Sequence, residues 1–334
     1  MQALRGRRCR YHESASADLG VEMSLRELTL FGETDKVSEA IGRLKAYEPQ
    51  EGYFLAFSGG KDSVVLKALC DMAGVKYDAH YAVTSVDPPE LVQFIKDVHP
   101  DVSRDIPHDK DGNPVTMWNL IPKRLMPPTR LVRYCCSELK ESTGSGRITL
   151  TGVRWAESSN RKKNQGLVTI MNKRAMALEM QMAGFVQTSK GGLALNNDND
   201  DAREIVESCY RKNKTVLNPI IDWEDEDIWE FIRGYGVPYC ELYDRGYSRL
   251  GCIGCPMNTA AAAELEAYPK YKELYLRAFS RMLDERSRRG LGGTMNWSSP
   301  DDVMIWWLRS DLSEAPDPGQ MSMELSEGAD ETQG

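Results

Sequence analysis

The heptapeptide Phe57-Ser58-Gly59-Gly60-Lys61-Asp62-Ser63 decides the fold. It follows the apolar run Tyr53-Phe54-Leu55-Ala56 and leads into VVLKALCDMAG. Strand, glycine-rich turn and helix in that order make an anion seat. Glycines let the backbone approach oxygen atoms closely, and the first amides of the helix point at them. Ser58 and Ser63 add hydroxyls, and Lys61 adds a point charge. The common P-loop pattern fails here. Leu55 stands where its first glycine belongs, and Asp62 follows Lys61 where Ser or Thr is required. A dinucleotide GxGxxG is absent as well.

Outward from this turn, the pattern predicts a helix over 33–47, a strand at YFLAF and a helix over 61–73 stopped by Gly74. VKYDAHYAVT reads as a second strand. PPELVQFIKDVH reads as a helix with proline in its first turn, where the missing N–H costs nothing. The β-α-β-α order implies a parallel sheet with helices on its faces. HDKDGNP is a turn; Pro114 and Leu120 stand where a calcium loop needs Gly and Glu. RITLTGV is a third strand. Residues 162–215 read as an insertion, with a helix near 172–183 and a loop near 188–200. DWEDEDIWEFIRGYG reads as a helix with Asp222 as N-cap, and 260–288 and DDVMIWWLRS as further helices. The domain organisation expected is a flexible lead 1–25, a nucleotide-binding α/β domain 26–258, a helical part 259–310 and a disordered acidic tail 311–334.

The chain has 334 residues and a net charge of −8. Seven acids and no Lys or Arg fall in the last 24 residues, so the body is close to neutral. Neutrality neither demands nor excludes nucleic acid, for which a local basic patch is what matters. The short basic runs RKKN at 161–164 and RSRR at 286–289 are candidates for such contact. No apolar run approaches the roughly 18 residues that span a bilayer, and the first residues lack the apolar segment of a secretory signal. A cytoplasmic protein with reduced thiols, without a membrane partner, is expected.

Eight cysteines are present. Cys70 reads as core, and Cys9, Cys209 and Cys240 have no useful spacing. RYCCSELK supplies Cys135 and Cys136, and RLGCIGCPM supplies Cys252 and Cys255 as C-x-x-C. In a reducing compartment such a turn points to metal or redox work. Adjacent cysteines suit a single zinc poorly, because its ligand pairs usually have residues between them. They suit a [4Fe–4S] cluster better, whose neighbouring thiolates reach different irons. Zinc or no metal remain the alternatives.

The SGGKDS turn resembles the SGGxDS loop of the PP-loop ATP pyrophosphatases. With the CC…CxxC pattern, the chain is similar to the phosphoadenosine and adenosine phosphosulfate (PAPS/APS) reductase-like branch of that superfamily. Gly152, Arg154, Glu157, Ser158 and Arg161 match the family's Gly-x-Arg-x-x-Glu-Ser-x-x-Arg segment, and NPIIDWEDEDIWEFIRGYG resembles the run leading to the second cysteine pair. The likeness covers roughly residues 50–275. It implies a doubly wound parallel α/β sheet of the adenine nucleotide alpha hydrolase-like type, with a helical C-terminal part.

The resemblance implies that Ser58, Gly59, Gly60, Lys61, Asp62 and Ser63 bind the phosphates of ATP. Gly152 would belong to the nucleotide site, and so would Thr84, Ser85 and Asp87 beyond the second strand. Lys61, Asp62, Arg154 and Arg161 would act in catalysis, with Mg²⁺, and Cys135, Cys136, Cys252 and Cys255 would hold the cluster. Cleavage between the α- and β-phosphates would adenylate an acceptor and release pyrophosphate, with iron–sulfur-dependent sulfur transfer, to nucleic acid in one reading. A sulfur donor or cysteine desulfurase, and a second copy in a homodimer, are the partners implied. Family reductases use a cysteine near the C-terminus, whereas no cysteine follows Cys255 here. Reduction of an adenylyl sulfate is therefore the alternative, and a non-catalytic nucleotide- and cluster-binding accessory subunit of a mobile-element, CRISPR or DNA-modification system is a third.

Overall fold

Tyr53, Phe54 and Leu55 are all buried, as successive residues of a strand covered on both faces must be. The computed structural model describes residues 25–29, 32–141, 144, 146–171, 178–189, 192–196, 200–209 and 213–309. The lead before Leu25, with Cys9, and the tail 311–334 lie outside the described residues.

In chain order, a hairpin of β1 (Arg26–Thr29) and β2 (Gly32–Asp35) precedes α1 (Lys36–Ala46). Asp35 caps α1 by accepting from the Val37 amide at 2.9 Å. Then come β3 (Tyr53–Ala56), α2 (Lys61–Ala73), β4 (Tyr77–Ala82), α3 (Pro89–Val98), β5 (Ser103–Asp105), α4 (Met117–Arg124) and α5 (Tyr134–Leu139). They are followed by β6 (Ile148–Leu150), α6 (Ser159–Asn164), β7 (Val168–Ile170), α7 (Leu178–Met182), β8 (Val186–Gln187) and β9 (Leu193–Leu195). The series ends with α8 (Asp200–Cys209), β10 (Thr215–Leu217), α9 (Asp225–Tyr235), α10 (Ala261–Ala267), α11 (Pro269–Arg288) and α12 (Pro300–Leu308).

The chain divides into two compact units. The first draws its described residues from Met1–Ala82, Pro89–Asp105 and Ser142–Leu250, and the second from Val83–Pro88, Ile106–Glu141 and Gly251–Gly334. Segments 83–88, 106–141 and 251–258, read from sequence as part of the nucleotide-binding domain, therefore group with the helical part.

The first unit is α/β. Its eight-stranded sheet has the order β5-β4-β3-β6-β10-β7-β9-β8. The strands from β5 to β10 pair in parallel, and β7, β9 and β8 extend the sheet antiparallel. The fold is thus a mostly parallel sheet with helices. The stretch read as an insertion supplies the extension: β9 lies inside the expected loop at 188–200. The helix expected near 172–183 is α7, residues 172–177 being outside the described ones. Helix α9 begins after Glu224, not Asp222. Asp222 is taken by Arg43, whose guanidinium donates to both carboxylate oxygens at 2.9 and 2.7 Å.

The second unit is helical. Tyr275, Phe279 and Met282 of α11 are buried with Leu120 and Ile121 of α4 and with Val303 and Trp307 of α12. Apolar residues at i, i+4 and i+7 put one stripe of α11 inward. Trp307 also donates from Nε1 to the Pro128 carbonyl at 2.7 Å, so the aromatic body and its polar atom are both satisfied.

Candidate functional site

The turn between β3 and α2 has the geometry its glycines require. Gly59 has φ +74°, and a Cβ there would meet Leu91 Cδ1 at 2.7 Å. Gly60 caps α2 in an extended conformation. Ser63 Oγ donates to the Gly60 carbonyl at 2.8 Å and stands 3.2 Å from Ser58 Oγ. Lys61, 6% exposed, begins the helix, and its backbone amide donates to Tyr243 Oη at 2.8 Å.

Around this helix start lies a four-membered ion network. Arg154, 1% exposed, donates from Nε to Asp62 Oδ1 at 2.7 Å and from Nη1 to the Trp223 carbonyl at 3.1 Å. Its Nη2 meets Asp225 Oδ1. Lys61 Nζ is 3.2 Å from Asp225 Oδ1 and 3.6 Å from Asp62 Oδ2. Burial alone would lower the Arg154 guanidinium; Asp62 and Asp225 outweigh it and hold the group above its ordinary value. Arg154 is thus enclosed by carboxylates and sets their position. Gly152 permits the approach, because a Cβ there would lie 2.9 Å from Asp62 Cβ and 3.0 Å from Asp62 backbone atoms.

Arg161, on α6, is the more exposed arginine of the matched segment, and it pairs with Glu157. Burial lowers its guanidinium, Glu157 opposes this, and the nearby Arg249 lowers it further. Two arginines that repel each other beside one carboxylate favour the arrival of an anion.

In the second unit, Cys135 and Cys136 lie on α5, and Cys252 and Cys255 form a turn closed by the Cys255 amide on the Cys252 carbonyl at 3.2 Å. Gly254 in that turn has φ +70°. Its amide donates to Glu264 Oε2 at 3.2 Å, and Tyr275 Oη donates to the Ile253 carbonyl at 3.0 Å. A hydrogen bond from Cys135 draws the Cys136 thiol down to about 6, helped by Lys140 and Arg133, and the same bond pushes Cys135 up. Cys136, Cys252 and Cys255 all oppose ionisation of Cys135, so the four thiols share one field. Burial pushes Cys252 up to about 11 against the pull of Lys140. Among the described residues no three His, Cys, Asp or Glu side chains stand ready to hold one metal ion. Cys135, Cys136, Cys252 and Cys255 are thus four soft donors in two pairs within one electrostatic field.

Thr84, Ser85 and Asp87, expected from sequence at the nucleotide, fall in this second unit. Thr84 Oγ1 donates to Asp87 Oδ2 at 2.7 Å, Asp87 Oδ1 is 3.7 Å from Cys252 Sγ, and Ser85 Oγ accepts from the Met117 amide at 3.0 Å. Their side chains support the cysteine turn and α4. Sequence reasoning missed Asp225, Tyr243 and Arg249. Asp225 was legible only as an acid in a helix first turn, and Tyr243 and Arg249 carried no spacing signal of their own.

A family model described as the phosphoadenosine phosphosulfate reductase domain matches residues 52–258. An uncharacterised protein of Methanocaldococcus jannaschii is 27% identical over 242 residues, 70% of this chain and 47% of that protein. An adenosine 5'-phosphosulfate reductase of Oceanobacillus iheyensis is 39% identical over 49 residues, 15% of this chain and 20% of that protein. The chain thus spans about half the length, or less, of these curated relatives. The phosphoadenylyl-sulfate reductase of Candida auris, solved with phosphate, aligns with a TM-score of 0.36 at 14% identity, over 64% of this chain and 88% of that chain.

Proposed function

The chain belongs to the phosphoadenosine phosphosulfate reductase domain family, and from that premise we propose that it binds ATP at Ser58–Ser63 and cleaves it between the α- and β-phosphates. The observation that carries this is the start of α2: a positive-φ glycine, two serine hydroxyls and Lys61 meet there, beside the Arg154–Asp62 pair. An acceptor oxygen attacks the α-phosphorus, the bond to the β-phosphate breaks, and pyrophosphate leaves with the electron pair. Lys61 and the amides of α2 bind the departing phosphates. Asp62, held by Arg154, would help hold a Mg²⁺ ion, which would offset negative charge on the phosphates. Arg161 and Arg249 bind the α-phosphate or the acceptor.

Cys135, Cys136, Cys252 and Cys255 hold a [4Fe–4S] cluster, with Lys140, Thr84 and Asp87 around Cys252. The cluster would supply sulfur-transfer or redox capacity, and the adenylated acceptor, a nucleic acid or a small molecule, is the substrate for a sulfur donor. The test is pyrophosphate release from ATP with sulfide and candidate nucleic acids. Release that is lost in Lys61→Ala supports the reading. Sulfite formed from adenylyl sulfate, without pyrophosphate from ATP, overturns it.

A further inference from the structure

Both donor groups of Lys61 are engaged by the chain's own oxygens. Its amide, which belongs to the anion-facing start of α2, is on Tyr243 Oη at 2.8 Å. Its ammonium is on Asp225 Oδ1 at 3.2 Å, and Asp225 also takes Arg154 Nη2. The four groups of the network differ in exposure. The side chains of Arg154 and Lys61 are 1% and 8% exposed, Asp62 is 24% exposed and Asp225 is 61% exposed. Asp225 is therefore the outermost member, a carboxylate lying over the cations that a phosphate would seek.

We propose that Asp225 is a specificity-determining residue that stands in for a phosphate oxygen at Lys61 and so selects for cation-loaded polyphosphate over free anions. This rests on the phosphate-binding reading of Ser58–Ser63. A bare polyanion arriving at Lys61 meets the Asp225 charge and must displace it. A polyphosphate chelated to a divalent cation carries less negative charge than the free anion, so the carboxylate repels it less. Two features of Asp225 make its displacement feasible. It sits at the first position of α9, where an acid is stabilised by the helix itself, and its exposure lets water solvate it once it turns away. Arg154 keeps Asp62 when Asp225 leaves, so the buried guanidinium is never left unpaired.

The experiment is calorimetric titration of the full chain with inorganic pyrophosphate and with ATP, each with and without Mg²⁺. The chains compared are wild type, Asp225→Asn and Glu226→Gln. Glu226 is exposed on the same helical turn, so its neutralisation changes net charge equally without touching Lys61. The expected result is that Asp225→Asn binds Mg²⁺-free pyrophosphate roughly five- to tenfold more tightly. Its preference for the Mg²⁺ form shrinks by the same factor, while Glu226→Gln stays within about twofold of wild type. Equal or weaker binding by Asp225→Asn, where wild type binds, overturns the role of Asp225 and leaves the phosphate-binding reading intact. An equal gain in both variants shows a diffuse charge effect and also overturns it. Absence of binding to all three chains overturns the proposal together with the reading beneath it. Thermal melting of Asp225→Asn, expected close to wild type for so exposed a side chain, separates misfolding from these outcomes.

Discussion

Arg154 Nε donates to Asp62 Oδ1 at 2.7 Å, tying the residue after Lys61 to the loop that follows β6. The pair is unequal: the arginine is buried and the aspartate keeps a quarter of its surface in water. Removing the arginine leaves two carboxylates that can still be hydrated. Arg154→Ala is therefore expected to cost about 2 to 3 kcal/mol, near the lower end for breaking a buried pair. Arg154→Lys is expected to recover only part of that, since one ammonium cannot reproduce the fork. Urea unfolding of both variants measures this, and a loss under about 0.5 kcal/mol would contradict it.

Gly152 has a steric reason to be glycine. An alanine Cβ would meet Asp62 backbone and side-chain atoms at 2.9 to 3.0 Å, and backbone does not yield as a flexible side chain does. Gly152→Ala is expected to destabilise by about 1 to 3 kcal/mol and to weaken ATP binding by displacing the start of α2. Thermal melting and ATP titration read the two effects separately.

The fold was legible where pattern and packing agree. Helix α2 starts at Lys61 and stops at Gly74 in αL conformation as its residues demand, and α3 keeps its proline start, whereas the helical stretch expected over 260–288 is divided at Tyr268 into α10 and α11. It was not legible where elements are short. Val168–Ile170 and Leu193–Leu195 are buried triplets, too brief for a period, and pairing with each other and with β10 and β8 makes them strands. Asp222 is a sound N-cap by local rules, but Arg43, distant in sequence, claims it. The same limit hid half of the site. Glycine turn, cysteine pairs and arginine segment are local patterns, whereas Asp225 and Tyr243 reach Lys61 only through the tertiary fold.

His99 gives a pH dependence of known sign. Its ring packs edge-on against Phe57, at the entrance to the glycine turn, and against Phe94. Burial and, to a lesser degree, Lys67 lower its pKa to about 4 against the opposing pull of Asp101. Folding thus favours the neutral ring, and the unfolded chain binds the proton more readily. This contribution is complete above about pH 6.5, the ordinary value for histidine, and is lost as pH falls from there towards 4. The loss is expected to reach about 3 kcal/mol. Chemical denaturation between pH 7 and 4 should show it in wild type and much less of it in His99→Gln.

The cysteine site predicts a stoichiometry. Protein purified without oxygen should hold about four irons and four sulfides per chain. Cys252→Ser should lose most of both. Zinc in their place, or neither metal, would remove the cluster from the account.

The most direct test of the central claim is the identity of the bond broken. ATP labelled in the adenosine moiety and in the terminal phosphate, incubated with Mg²⁺, sulfide and nucleic acid, should yield AMP and pyrophosphate in equal amounts through an adenylated intermediate. Lys61→Ala should yield neither. ADP with inorganic phosphate, or AMP and pyrophosphate undiminished in Lys61→Ala, would contradict the assignment of Ser58–Ser63 as the loop at which ATP is cleaved.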